Sequence, residues 1–157
     1  MKKPDVVVAF AFSKEGNANK DLAIYARYIA TEYGVPIFTQ TDISKHLPPT
    51  VTVFTAEEGE KYLSTLGVSI SFAEVAKKKN WRKPFIIAAP CHSWRCQRDL
   101  KKIGFQVVSD DYLRAYYFKF WYAPKDRQIW VHNPCIWWFR EIILRLMPWK
   151  LYSKIAT

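Results

Sequence analysis

Two short runs of this chain are apolar at nearly every position, and they constrain the fold more than any other feature. Asp5–Phe12 has the sequence DVVVAFAF, and Pro84–Pro90 has the sequence PFIIAAP. A strand with one face in solvent alternates apolar and polar residues, whereas a strand covered on both faces is apolar throughout. Both runs are too short to span a bilayer. They are therefore predicted to be central strands of a parallel sheet with helices on each face.

The residues after the first run complete a β-α-β unit. Apolar residues recur at spacings of three and four from Leu22 onward, with Asn17 or Asn19 as the helix cap. Gly34 is placed to end this helix, and Val35–Thr39 follows as a short strand. Parallel strands joined through a helix require a crossover connection, which is right-handed. The pattern predicts the α/β class.

The middle of the chain is less regular. Residues 44–49 are predicted to form a loop, and Thr50–Phe54 a short strand. Thr55 and Ser71 each begin the spacing of a capping box, which predicts two helices separated near Gly67.

A second β-α-β unit begins at the Pro84–Pro90 strand. Trp94–Ile103 has helical composition and ends before Gly104, and Phe105–Ser109 is predicted as the next strand. We therefore expect one domain over residues 1–157, a Rossmann-like three-layer αβα sandwich with a mostly parallel sheet.

The last third of the chain is rich in aromatic residues. Residues 112–122 predict either a late strand or an irregular aromatic segment. Asn133 followed by Pro134 is typical of a helix start, and a C-terminal helix is predicted at about 133–148, broken at Pro148.

The amino-acid composition limits which class of protein this chain belongs to and which kinds of partner it favours. Half of the residues are hydrophobic and 17% are aromatic, which indicates a folded core rather than disorder. The three cysteines show no disulfide or zinc spacing, so a reducing, cytoplasmic location is expected, without a signal peptide or membrane span. A net charge of +10 favours phosphate-bearing molecules, nucleic acid or anionic lipid as partners, although a solvated basic surface has the same composition.

Ligands of open α/β sheets bind at the carboxyl ends of the strands, which directs attention to two connections. After the first strand, Ser13, Lys14 and Asn17 precede a helix whose amides are suited to an anion. This loop is neither a GxGxxG fingerprint nor a P-loop, and an ordinary capped loop is the alternative.

The second connection is the segment Cys91-His92-Ser93-Trp94-Arg95, where the next helix opens. Here His92 is a candidate acid or base, Arg95 a two-pronged anion contact, and Ser93 a further ligand contact. Cys91 is a candidate nucleophile or a small packing residue. In the alternative interpretation Ser93 caps the helix, His92 is a turn residue and Arg95 is solvated. The three histidines have no spacing that suggests a metal site.

The C-terminal stretch of the chain, which includes the predicted helix, is a candidate interaction surface. It combines aromatic with basic residues, a mixture found on helices that lie at a bilayer surface. These residues are Trp130, Trp137, Trp138, Phe139, Trp149, Arg140, Arg145, Lys150 and Lys154. Base stacking uses the same residue types, and a docked helix whose tryptophans complete the core is the simplest alternative.

Pro84–Val108, PFIIAAPCHSWRCQRDLKKIGFQVV, resembles the DUF218 family in its order of strand, small residue, H-x-x-R, helix, glycine and strand. His92 and Arg95 occupy the H-x-x-R positions, Glu74 is similar to the family's acidic position, and residues 138–145 resemble its Arg-Glu terminal helix. The resemblance implies a Rossmann-like fold, a phosphate-bearing or nucleotide-like ligand (S-adenosylmethionine included) and a role in bacterial envelope biogenesis. Two glycine-containing loops of the family are replaced here, at residues 11–13 and 39–42.

Two functions follow as expectations. The first is a domain that binds an anionic ligand around His92 and Arg95 and that, if it is an enzyme, is a transferase or hydrolase acting on a phosphate-bearing substrate. The second is a peripheral module at the inner face of the membrane, whose basic, tryptophan-rich C-terminal helix binds anionic lipid or a protein partner. Nucleic-acid binding is not favoured, because no recognised motif accompanies the charge.

Overall fold

The computed structural model describes residues 3–14, 17–56, 64–108, 122–126 and 128–156, which form an α/β fold. The strands are β1 Val6–Ala9, β2 Ile37–Thr39, β3 Val53–Thr55 and β4 Pro84–Ile87. The helices are α1 Ala18–Tyr33, α2 Thr41–Ser44, α3 Thr65–Lys79, α4 Pro90–Lys102, α5 Pro134–Leu146 and α6 Trp149–Ile155, with a 3-10 turn at Ile129–Val131.

The four strands form one parallel sheet in the order β3-β2-β1-β4. In the register of the sheet, Val8 pairs with Phe38 on one side and with Ile86 on the other. The chain moves outward from β1 to β2 and β3, and then crosses back to place β4 on the other side of β1. The point where the strand order reverses therefore lies between β1 and β4.

Both faces of the sheet are covered, which confirms the interpretation of the two apolar runs. Val7 and Ala9 of β1 pack in the core on the α1 side, while Val6 and Val8 pack in the core that includes α3 and α4. Every β1 side chain is fully buried. The sheet is therefore the middle layer of a Rossmann-like three-layer sandwich.

Two helix ends follow the chemistry of their terminal residues. Gly34 ends α1 in the left-handed region at φ 63°, a conformation that is easy for glycine. Asn133 Oδ1 accepts the Ile136 N–H at 3.0 Å, and Pro134 is the first residue of α5, as predicted. Asn17 precedes α1, but its side chain makes no cap hydrogen bond.

The prediction of a helix beginning at Ser71 is wrong. One continuous helix, α3, runs through Gly67 and Ser71, and it begins after Ser64, whose Oγ accepts the Gly67 N–H at 3.0 Å. A serine followed three residues later by glutamate has the same spacing inside a helix as at its start, so the motif alone does not locate the cap. Thr55 is the last residue of β3, and residues 57–63 lie outside the described ranges.

The helix predicted over Trp94–Ile103 begins four residues earlier, at Pro90. Proline is favoured at the first helical position because its φ is already helical and its missing N–H is not needed there. Consequently Cys91, His92 and Ser93 belong to the first turn of α4 and not to a preceding loop.

The strand predicted over Phe105–Ser109 is present in its described part only as a single parallel bridge between Phe85 and Val108. Val108 donates its N–H to Pro84 and accepts the N–H of Ile86. Residues 109–121, which include most of the aromatic segment, lie outside the described residues.

The two C-terminal helices dock on α4. Tyr152 Oη of α6 donates to Asp99 Oδ2 at 2.6 Å, and Arg98 Nη1 donates to the Leu144 carbonyl of α5 at 2.9 Å. The α6 helix was not anticipated from the sequence. None of the helices in the described ranges combines the length and apolarity that crossing a bilayer needs.

Candidate functional site

A cavity of about 330 Å³ opens at the carboxyl edge of the sheet, where the strand order reverses between β1 and β4. Open α/β sheets bind their ligands in such a crevice because the loops on the two sides diverge there. Residues after β1 and β2, at the start of α3, in α4, around the 3-10 turn and in α5 line it. They are Phe10, Ala11, Phe12, Gln40, Ser64, Thr65, His92, Gln128, Trp130, Trp137 and Arg140.

The floor of the cavity is the segment that follows β1, and hydrogen bonds hold it in place. The Ala11 N–H donates to Gln40 Oε1 at 3.0 Å, and the Phe12 N–H donates to Asn19 Oδ1 at 3.0 Å. Asn19 Nδ2 also donates to the Ser13 carbonyl. The side-chain amides of Gln40, after β2, and Asn19, in α1, thus hold the loop in one conformation. Its surface in the cavity is therefore formed before any ligand binds.

Gln40 lines the cavity, and its buried side-chain amide holds an unpaired donor. Its side chain is 2% exposed, and Oε1 is occupied by the Ala11 N–H, whereas Nε2 has no hydrogen-bond partner among the described residues. A buried donor without a partner costs about 1–3 kcal/mol. A ligand atom that accepts a hydrogen bond would remove this cost.

His92 is buried in the cavity wall and is held as a neutral ring. Arg95 Nη2 lies 3.0 Å from His92 Nδ1, and Thr65 Oγ1 lies 3.3 Å from His92 Nε2. A guanidinium only donates, so Nδ1 is the acceptor and the ring proton is on Nε2. Burial, with the positive charges of Arg95 and Arg140, holds the pKa of His92 well below its usual range. At neutral pH His92 is a hydrogen-bond donor and not a proton carrier.

Arg95 lies behind His92 and does not line the cavity. Its Nη2 is 3.1 Å from Glu141 Oε1 of α5, and the two side chains are 4% and 0% exposed. Burial raises the pKa of Glu141, against the lowering effect of Arg95 and Arg140. The guanidinium is therefore shared between a carboxylate and the ring that it orients, so Arg95 is a positioning residue for His92.

Arg140 is the cation of the cavity. It lies 3.9 Å from Glu141, and its guanidinium carbon is 5.4 Å from the Trp130 ring centre and 5.6 Å from that of Trp137. Burial and the charge of Arg95 lower the pKa of Arg140 to about 10, so it remains charged at neutral pH. Trp137 in turn packs on the His92 ring with centres 5.4 Å apart. The wall is cationic and aromatic.

Comparisons with protein-family models, with curated proteins and with solved structures found no match to this chain. Function is therefore inferred from the fold and from the cavity. In the part of the chain that the structure describes, no group of three or more His, Cys, Asp or Glu side chains is placed to hold a metal ion.

The three residues predicted from the loop after β1 lie near the cavity without lining it. Ser13 is buried, and its Oγ has no hydrogen-bond partner among the described residues. The Lys14 N–H donates to Asp126 Oδ2 at 2.8 Å, which ties the loop to the turn that carries Trp130. Asn17 is exposed at the start of α1.

The remaining predicted residues are also outside the cavity lining. Glu74 is exposed on α3, nine residues from Thr65 or about 14 Å along the helix axis. Ser93 Oγ accepts from Gln97 Nε2 at 3.1 Å, so it is not the helix cap. Burial raises the pKa of Cys91 to about 12, so its thiol is protonated at neutral pH and is not an activated nucleophile.

The cavity includes residues that the sequence interpretation missed as ligand contacts. Gln40 directly follows β2, Thr65 opens α3, and Trp130 and Arg140 come from the C-terminal third of the chain. Gln40 could have been found by extending the carboxyl-end rule from two strands to all of them. Nothing local in the sequence brings Arg140 to this edge, because only the docking of α5 on α4 does so.

The neutral state of His92 makes the pH dependence of stability testable. Below pH about 6.5 the unfolded chain protonates this histidine while the folded chain does not, so unfolding becomes more favourable as the pH falls. We expect this residue to contribute a slope of up to about 1.4 kcal/mol per pH unit to the free energy of unfolding. Urea denaturation of wild type and His92→Gln across about pH 5 to 8 measures it as the difference between the two slopes.

The matched control is His46→Gln, because His46 is exposed. It tests whether a change of slope is specific to the buried histidine. Equal effects of the two substitutions would show that His92 is protonated in the folded state like an ordinary surface histidine.

Proposed function

We propose that this domain binds a small anionic ligand, phosphate-bearing or nucleotide-like, in the cavity at the carboxyl edge of the sheet. The observation that carries the proposal is the set of donor residues that line the cavity: Gln40 with its unpaired Nε2, Arg140 with its guanidinium, and His92, whose Nε2–H is shared with Thr65 Oγ1 at 3.3 Å. Phosphates and carboxylates are the ligand groups that accept several such hydrogen bonds at once.

The aromatic side chains of the cavity support a ligand with a flat or apolar part beside its anionic group. Phe12 and Trp137 pack with ring centres 4.7 Å apart, and Trp130 is 47% exposed at the rim. Small-molecule sites commonly combine aromatic walls with a few oriented polar groups. A nucleotide-like molecule, S-adenosylmethionine included, has both parts.

The resemblance to the DUF218 family adds bacterial envelope biogenesis as the proposed setting. If the ligand is also a substrate, we propose a transferase or hydrolase reaction at its phosphate. In that case His92 and Arg140 stabilise developing negative charge on oxygen, because His92 with its occupied Nδ1 is suited to donate a hydrogen bond and not to exchange a proton.

Two substitutions test the proposal. Arg140→Gln removes the cation, and Gln40→Glu keeps the oxygen that accepts the Ala11 N–H while replacing the Nε2 donor with a second oxygen. A hydrogen bond to a charged group contributes about 1.5–3 kcal/mol, so each change should weaken binding by at least about tenfold. The measurement is a thermal-shift panel of inorganic phosphate, nucleotides, S-adenosylmethionine and polyprenyl phosphates, followed by calorimetric titration of any stabilising compound.

Arg145→Gln is the matched control, because Arg145 is on the same helix but stacks on Trp94 and Trp138 away from the cavity. It should bind like wild type. Arg95→Ala is a poor probe, since it leaves Glu141 buried without its partner. The proposal fails if no compound stabilises the protein, or if Arg140→Gln and Arg145→Gln weaken binding equally.

A further inference from the structure

The α5 helix is inverted relative to an ordinary surface helix. Glu141 is its fully buried residue, and apolar side chains occupy its outer side at helical spacings of three and four. The outer residues are Trp138 40%, Phe139 68%, Ile142 51%, Ile143 45% and Leu146 80% exposed. On α6, Leu151 is 49% and Ile155 is 64% exposed. We call these seven residues the outer apolar face.

Several exposed apolar side chains grouped on one side of a helix, as on α5, mark an interaction site, whereas scattered single residues need no explanation. The inner side of α5 packs against the rest of the domain, because Trp137 packs on His92 and Glu141 pairs with Arg95. The outer apolar face therefore has a different partner from the core of this chain.

The charged residues around this face are mainly basic, which favours an anionic partner. Residues 134–156 hold one acidic side chain, the buried Glu141, while Lys150 and Lys154 are exposed on α6. Lys101 and Lys102 are exposed at the end of α4, the helix on which α5 and α6 dock. Among the described residues, no carboxylate forms an ion pair with any of these four lysines.

One tryptophan belongs to this face and another lies beside it. Trp94 and Trp138 are 38% and 40% exposed, and the Arg145 guanidinium stacks on both rings, 4.7 and 5.2 Å from their centres. Half-exposed tryptophan beside cations is characteristic of the level of lipid headgroups, where the indole has an apolar and a wet side.

We propose that the outer apolar face of α5 and α6 is a docking surface for an anionic lipid bilayer, lying in the plane of the interface. The apolar side chains enter the acyl boundary and the lysines contact the lipid phosphates. A second copy of this chain fits less well, because pairing this face with itself would bring the same unpaired lysines together on a molecule of net charge +10. This inference does not depend on the cavity ligand.

The test uses the full chain and sedimentation with vesicles of phosphatidylcholine, with and without phosphatidylglycerol. We expect binding to the anionic vesicles only, decreasing as salt is raised. The double variant Phe139→Ser/Leu146→Ser should reduce the partition coefficient by at least about tenfold. Its control, Ile24→Ser/Tyr28→Ser, removes equally exposed apolar residues from α1 and should bind like wild type.

A second pair of variants tests the charge. Lys150→Gln/Lys154→Gln should weaken vesicle binding, whereas Lys77→Gln/Lys78→Gln, exposed on α3, should not. Absence of binding to anionic vesicles would overturn the proposal. So would a dimer in analytical ultracentrifugation that Phe139→Ser/Leu146→Ser dissociates, because the face would then belong to a second copy.

Discussion

Replacing Glu141 with alanine should lower the free energy of unfolding by about 3–5 kcal/mol, the cost of breaking a buried ion pair from one side. The Glu141 side chain is fully buried, and Arg95, at 3.1 Å, is 4% exposed. Without the carboxylate, the Arg95 charge remains in the core between α4 and α5, with few other acceptors. Urea denaturation at neutral pH measures the loss.

The double variant Arg95→Met/Glu141→Leu separates the charge from the packing. Apolar residues of similar volume leave no unpaired charge, so it should be more stable than Glu141→Ala. Asp42→Ala is the surface control, since its pair with Lys45 at 3.4 Å is partly solvated and should contribute at most about 1 kcal/mol. A loss no larger for Glu141→Ala than for Asp42→Ala would mean that the buried pair is not formed.

Replacing Phe72 with alanine should cost about 3–5 kcal/mol of stability, because it leaves a cavity where α3 meets the sheet. Phe72 is fully buried, and its ring centre lies 5.2 Å from Phe38 of β2 and 4.9 Å from Phe105. These three rings join a helix, a strand and the segment that follows α4. Thermal and urea denaturation both report the change.

Phe139→Ala is the matched control for Phe72→Ala. It removes the same ring from a position that is 68% exposed, and it should change stability by about 0.5 kcal/mol or less. Equal losses at the two positions would mean that Phe139 is covered in solution, which would also contradict its place on the outer apolar face.

The predictions that succeeded rest on patterns that burial imposes on neighbouring residues. DVVVAFAF is apolar on both alternations because β1 has a helix layer on each side, and PFIIAAP is apolar for the same reason. Asn133-Pro134 marked the start of α5 because the cap and the proline both act within one turn. Such local consequences of burial and capping are visible in a single sequence.

The predictions that failed concern the first residues of helices, at places where two nearby positions both have the pattern of a helix start. Ser71 has capping-box spacing, yet the actual cap of α3 is Ser64, seven residues earlier. The composition of the segment predicts that α4 starts at Trp94, although the helix already begins at Pro90. In both cases the residues favour a helix start at more than one position, and packing on the sheet selects one of them.

For the candidate site, local patterns in the sequence predict the sheet edge and one of the residues that line the cavity, His92. The other lining residues follow from tertiary contacts. Gln40 follows β2, Thr65 opens α3 and Arg140 belongs to α5. These elements are distant along the chain, and only the strand order and the docking of α5 bring them together. The same docking buries Glu141 against Arg95, so the arginine predicted as a ligand contact is paired with a carboxylate and with the His92 ring. The sequence shows which side chains are charged. Which group each of them contacts depends on how the helices and the sheet pack against one another.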